Sequence, residues 1–154
     1  MGDRLEGKIA IVTGAGSIGP GFGNGKATAT LFAREGAEVF IVDYRADALE
    51  ETRKIIEGEG HSVTTHVADV TKSDQVDTLV AACIERYGRV DVLDNNVGGT
   101  VAGGPTDLSE AEWDQQMDLN LKHVFLMSRA VLPGMAERGS GAIVNIGSTS
   151  GITF

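Results

Sequence analysis

The sequence predicts an α/β fold, a doubly wound parallel sheet with helices on both faces, and three observations carry that prediction. Strand-like and helix-like patterns alternate along the chain, the strands read as continuous apolar runs, and the first strand runs straight into a turn crowded with glycine. Continuous runs indicate strands covered on both sides. Helices between them imply right-handed βαβ crossovers.

The opening strand is Ile9-Ala10-Ile11-Val12. A helix is expected over about 26–35, with Leu31 and Phe32 inward and Gly36 as its stop. Val39-Phe40-Ile41-Val42 is the second strand, and the next helix, over about 46–59, sets Leu49, Ile55 and Ile56 on one face before Gly60. Residues 62–67 alternate weakly, as a third strand near a sheet edge would. Ser73 is read as the cap of the clearest helix, on which Val76, Leu79, Val80, Cys83, Ile84 and Tyr87 keep helical spacing up to Gly88. The fourth strand is short, 90–93. A glycine-rich loop at 98–104 leads to a long helix over about 110–135 with an apolar stripe of Trp113, Met117, Leu121, Val124, Phe125, Val131 and Leu132, where Trp113 is expected to pack. Ala142-Ile143-Val144-Asn145-Ile146 is the fifth strand. The expected architecture is Rossmann-type, a single domain over 1–154 whose sheet stops after that strand.

Between Thr13 and Gly25 stand Gly14, Gly16, Gly19, Gly21, Gly23 and Gly25. Glycine admits positive φ and lets bare N–H groups approach a phosphate, while the following helix offers its positive dipole end. Gly14 to Gly19 spell G-x-G-x-x-G, including Ser17 and Ile18, and Asp43 closes the second strand where an acid meets an adenosine ribose. The expected site is thus a dinucleotide site. A carboxylate at Asp43 repels a 2′-phosphate, so NAD is favoured over NADP, while Arg45 keeps NADP as a minority alternative. Two registers of the turn compete. Either Gly19 ends it, or Gly23-Asn24-Gly25 does and residues 18–22 bulge outward. A helix start near Asn24 is favoured, because residues 20–23 make a poor first turn.

Composition sets outer limits. With 42% hydrophobic residues in 154, the chain can bury a real core, and its formal charge of −9 argues against nucleic acid or an anionic membrane as partner. Cys83, the one cysteine, excludes an internal disulfide, reads as a buried thiol and fits a reducing cytoplasm. Neither a signal peptide nor a membrane span is expected, and Glu6 spoils a myristoylation site at Gly2. His61, His66 and His123 share no ligand-like spacing with acids or cysteine, so no metal is expected.

Several motifs then fall in order: Thr13-Gly14-Ala15-Gly16-Ser17-Ile18-Gly19, Asp43, Asp69-Val70, Asn95-Asn96-Val97-Gly98, Asn120 in Met-Asp-Leu-Asn-Leu, and Ile143-Val144-Asn145-Ile146-Gly147-Ser148. On these residues the whole chain resembles the short-chain dehydrogenase/reductase family. The resemblance implies an NAD(P)-dependent oxidoreductase interconverting a small-molecule alcohol and ketone. It implies adenine contact at Asp69, a place beside the cofactor for Asn95, support of a proton relay by Asn120 and a substrate hydrogen bond from Ser148. Taken singly, Asn120 reads as a polar residue facing a loop, Asn95-Asn96 as a turn pair and Ser148 as part of a flexible loop; with the glycine turn, the functional reading prevails.

The chain departs from the family pattern at several places. The glycine turn is stretched, Asp94 stands at an apolar strand position, and Val97 replaces alanine. The family's Tyr-x-x-x-Lys pair is missing, because Tyr44 is followed at the fourth place by Ala48 and Tyr87 by Asp91. A phenol near pKa 10 needs a lysine to work at neutral pH, so the chain alone is expected to be inactive. It is read as lacking the C-terminal catalytic and substrate segment, which leaves the fifth strand in need of a cover. The alternatives are a non-catalytic NAD-binding module and a split-enzyme subunit with a complementing polypeptide. The resemblance also implies a homo-oligomer through the long helix, with core packing as the competing account of its stripe.

Overall fold

The computed structural model describes residues 2–148; Met1 and residues 149–154, the end of the Gly-Ser-Thr-Ser-Gly run, lie outside the described residues. The elements follow as β1 (Ile9–Thr13), α1 (Asn24–Arg34), β2 (Glu38–Asp43), α2 (Ala46–Gly58), β3 (Val63–Val67), α3 (Ser73–Tyr87), β4 (Val92–Asn95), α4 (Glu110–Met117), a π-turn (Asp118–Lys122), α5 (His123–Arg138) and β5 (Ala142–Asn145). The strands lie in the order β3-β2-β1-β4-β5, and every neighbouring pair is parallel. This is the doubly wound α/β fold the alternation predicts. Its reversal of direction falls between β1 and β4, where such sheets open a crevice beyond the strand ends.

Side chains alternate across the two faces. Ile9, Ile11, Phe40, Val42 and Leu93 pack against Val76, Leu79, Val80 and Cys83 of α3 and Leu126, Met127, Val131 and Met135 of α5. Ala10, Val12, Val39, Ile41 and Val92 pack against Ala29 and Ala33 of α1 and Leu49 and Ile56 of α2. On α1, Gly25, Ala29 and Ala33, four apart, give a smooth face close to the sheet, with Lys26 and Thr30 buried beside them. The expected inward Leu31 is exposed instead, and Phe32 is only partly buried.

Three further expectations are corrected. Ser73 is the first residue of α3 rather than its cap, a place taken by Lys72, and the Ser73 hydroxyl accepts from Arg129 of α5 at 2.8 Å. The fourth strand runs two residues later than its apolar letters suggest. Asp91 ties down the start of β1, its Oδ2 accepting from the Ile9 N–H at 2.9 Å, and the ladder continues through the polar Asp94 and Asn95. The long helix is interrupted by the five-residue π-turn. Only the part after it packs on the sheet: His123, Leu126, Met127, Val131 and Met135 of α5 are buried, whereas α4 and the π-turn bury no residue and Trp113, Met117, Leu121, Phe125 and Leu132 stay exposed.

A capping box begins α4, in which the Ser109 hydroxyl accepts from the Glu112 N–H and the Glu112 carboxylate accepts from the Ser109 N–H at 2.8 Å. Gly88 at φ 83° and Gly139 at φ 63° close α3 and α5 in the left-handed conformation. Asp94 is 1% exposed and neither of its carboxylate oxygens has a hydrogen-bond partner among the described residues. Burial raises its pKa to about 6. The same cause pushes the Cys83 thiol up to about 12 and lowers the buried His123 below its ordinary value. No helix among the described residues is long and apolar enough to cross a membrane.

Candidate functional site

A cleft of about 1050 Å³ opens beyond the C-terminal ends of β1, β2 and β4 and takes in the glycine turn, residues 42–45, residues 68–72, the loop after β4 and the end of α4. Its floor is the turn after β1. Gly14 sits at φ 61°, a conformation that favours glycine, and Gly16 follows at the closest approach to β2. A Cβ on Gly16 would lie 2.9 Å from Asp43 Oδ2 and 2.6 Å from the Ala48 methyl. The bare backbone instead lets the Gly16 N–H donate to Asp43 Oδ2 at 3.0 Å, while Asp43 Oδ1 accepts from the Arg45 N–H at 3.0 Å. Thr52 of α2 fixes the turn from behind by donating to the Ala15 carbonyl at 2.8 Å.

The structure settles the register of the turn. Residues 18–22 bulge outward, with Ile18 90% and Phe22 61% exposed, and the loop closes on Ser17, whose hydroxyl donates to the Gly21 carbonyl and accepts from the Gly23 N–H at 2.9 Å. Gly19 therefore is not the glycine that admits close packing, since a Cβ there would meet nothing within 4 Å. Gly25 takes that part. A Cβ on it would stand 2.1 Å from the Gly14 carbonyl oxygen and 2.5 Å from Asn96 Nδ2, so α1 can begin against β1 only with glycine there. Its spacing with Ala29 and Ala33 is the signal that picks Gly25 from the sequence.

Across the cleft, the structure separates the two asparagines after β4. Asn95 is buried within the sheet, donates to Asn145 Oδ1 on β5 at 2.9 Å and is not part of the cleft wall. Asn96 is the residue at the mouth. Its N–H donates to Thr13 Oγ1 at 3.1 Å, and its amide donates to the carbonyls of Thr13 at 3.3 Å and Gly14 at 3.1 Å, locking the loop onto the turn. Strand alternation is what distinguishes them, once β4 is known to extend through Asn95.

Asp69 and Val70 lie in the cleft wall, where Asp69 Oδ1 accepts from the N–H and hydroxyl of Thr71 in a tight turn and Val70 is buried. Asn120 sits in the π-turn behind the wall. Its amide clasps the main chain of Gly99, Oδ1 accepting from the N–H at 3.0 Å and Nδ2 donating to the carbonyl at 2.9 Å, and so holds the 98–101 loop that lines the cleft. Ser148 is exposed after β5 and does not join the wall. The structure thus brings together Gly14, Gly16, Ser17, Ile18, Gly19, Asp43, Asp69 and Val70, and leaves Asn95, Asn120 and Ser148 outside the lining.

A parallel sheet with a glycine turn after its first strand, an acid ending its second and a cleft at the reversal point defines a Rossmann-type domain. The model of the short chain dehydrogenase family matches residues 8–153. The chain belongs to the short-chain dehydrogenase/reductase family, oxidoreductases that use NAD(P). It is 41% identical over 149 residues to the 3-oxoacyl-[acyl-carrier-protein] reductase FabG of Thermotoga maritima, a match covering 97% of this chain and 58% of the relative. A crystal structure from Burkholderia xenovorans, described as a short-chain dehydrogenase/reductase, superposes with a TM-score of 0.96 at 53% identity, covering 99% of this chain and 60% of that one. A 7α-hydroxysteroid dehydrogenase complexed with NADH and 7-oxo glycochenodeoxycholic acid superposes at 0.90 with 34% identity, covering 98% and 57%. The chain therefore spans somewhat more than half the length of these relatives.

Proposed function

We propose that this chain forms the cofactor-binding domain of a short-chain oxidoreductase, holding NAD in preference to NADP and serving the interconversion of an alcohol and a ketone. The observation that carries the reading is the contact between the Gly16 amide and the Asp43 carboxylate, which joins the glycine turn to the acid that ends β2. The cleft fits the group: it has the room, and a Cβ at Gly14 would come within 3.2 Å of Asn96 and Val97, so only bare backbone leaves the floor open.

In this reading the main chain of the turn and the start of α1 would hold the pyrophosphate, Asp43 the adenosine ribose, and Asp69 with Val70 the adenine. When bound, NAD supplies the hydride acceptor. Asn96 keeps the turn in place, and Asn120 acts through the Gly99 loop as a positioning residue. Ser148 is proposed to meet the substrate oxygen. Neither Tyr44 nor Tyr87 is followed by a lysine four places on, and Tyr87 is hydrogen-bonded to Thr64 at 2.7 Å between α3 and β3. We therefore infer cofactor binding without turnover for residues 1–154 taken by themselves, since these residues hold no Tyr-x-x-x-Lys pair. Self-association is proposed through the exposed stripe of α4 and α5, and a cytoplasmic location fits the lone buried thiol.

Calorimetric titration of the chain with NAD tests the central reading. Saturable binding that Asp43→Ala weakens is expected. Binding that survives Asp43→Ala unchanged, or no binding by a chain that melts cooperatively, overturns it.

A further inference from the structure

Arg45 lines the cleft two residues beyond Asp43, where a cation would ordinarily be free to meet a phosphate on the adenosine ribose. Each of its guanidinium nitrogens already has an acceptor. Nε and Nη2 form a forked pair with the two oxygens of Asp47, at 3.2 and 2.7 Å. Nη1 reaches back to the main-chain carbonyls of Ser17 and Ile18, at 3.5 and 3.3 Å. Asp47 lies in the first turn of α2, where the helix dipole favours a carboxylate. Asp43, Arg45 and Asp47 together carry one net negative charge, so this edge of the cleft repels an added phosphate dianion.

We propose that Asp47 is a specificity-determining residue: by holding the Arg45 guanidinium in a forked pair, it denies a ribose 2′-phosphate its cation and restricts the site to the cofactor without that phosphate. This rests on the reading of the cleft as a dinucleotide site. Asp47 does not line the cleft and acts through Arg45. The inserted loop shares in the arrangement, because the carbonyls of Ser17 and Ile18 draw the third arm of the fork away from the ribose end.

Two probes separate the proposal from the reading beneath it: adenosine 5′-monophosphate and adenosine 2′,5′-bisphosphate, titrated calorimetrically into the chain and three variants. Asp47→Ala is expected to raise affinity for the bisphosphate about tenfold relative to the monophosphate, the scale of one new charge-assisted hydrogen bond. Adding Arg45→Ala to that variant is expected to return the ratio to its starting value, while Arg45→Ala alone, which removes a cation Asp47 already withholds, does not raise it. An unchanged ratio in Asp47→Ala, with monophosphate still bound, overturns this proposal alone, as does a gain that persists without Arg45. Failure of the parent chain to bind the monophosphate overturns the cofactor site and this proposal together.

Discussion

Asp94 gives the sharpest prediction, because its carboxyl is buried on the sheet with no hydrogen-bond partner among the described residues. Its pKa stands at about 6, against an ordinary value of 3.8, and burial alone is the cause. The folded state therefore holds a proton that the unfolded chain releases two pH units earlier. Stability from this group is complete below about pH 4, declines as pH rises, and is gone above about pH 6. At about 1.4 kcal/mol per unit, the gap amounts to about 3 kcal/mol. Asp94→Asn keeps the shape and removes the charge, so its urea midpoint is expected to exceed the parent's at pH 7.5 and to approach it near pH 4. Denaturation followed by circular dichroism at half-unit steps checks this. A difference between parent and variant that does not vary between pH 4 and 8, or a parent that gains on the variant as pH rises, refutes the reasoning.

Gly25→Ala places a methyl against the Gly14 carbonyl and is expected to cost about 2 kcal/mol or more by thermal melting and to abolish nucleotide binding, whereas Gly19→Ala, where a Cβ meets no protein atom, leaves the melting temperature within error. The Cys83 thiol, buried and with its pKa at about 12, is expected to resist a disulfide reagent at pH 8 until the chain is unfolded, when one equivalent reacts. Phe125→Asp, at a residue 60% exposed beneath the Arg129 guanidinium, is expected to lower the mass found by sedimentation without changing the melting temperature; an unchanged mass removes the α4–α5 face from any self-association.

The strands and the glycine turn were legible in the sequence because each rests on local chemistry. Runs of β-branched residues buried on both faces look alike in any context, and Asp43 follows directly on such a run. What was not legible depends on neighbours far along the chain. The true end of β4 is concealed by Asp94 and Asn95, which pair with Val144 and Asn145 although their polar letters end the apolar run. That shift is why Asn96, rather than Asn95, proves to be the residue at the mouth of the cleft. The inward face of the long helix escapes the sequence for another reason. A constant helical period assigns Trp113, Leu121 and Phe125 to the core alike, whereas α4 and the π-turn bury no residue and only α5 packs on the sheet. Gly19 misled because a sequence motif fixes spacing but not which glycine faces a neighbour.

The widened turn at Asp118–Lys122 also limits how this part of the chain can change length. Each helical residue advances the face by about 100°, so removing one from the wide turn would restore an even coil and swing everything after it around the axis. Leu126, Met127, Val131 and Met135 would leave the sheet together, and Asn120 would lose its hold on Gly99. A single deletion here thus strikes the hydrophobic interior and the cleft wall at once, so an altered residue count in this stretch is felt in two places.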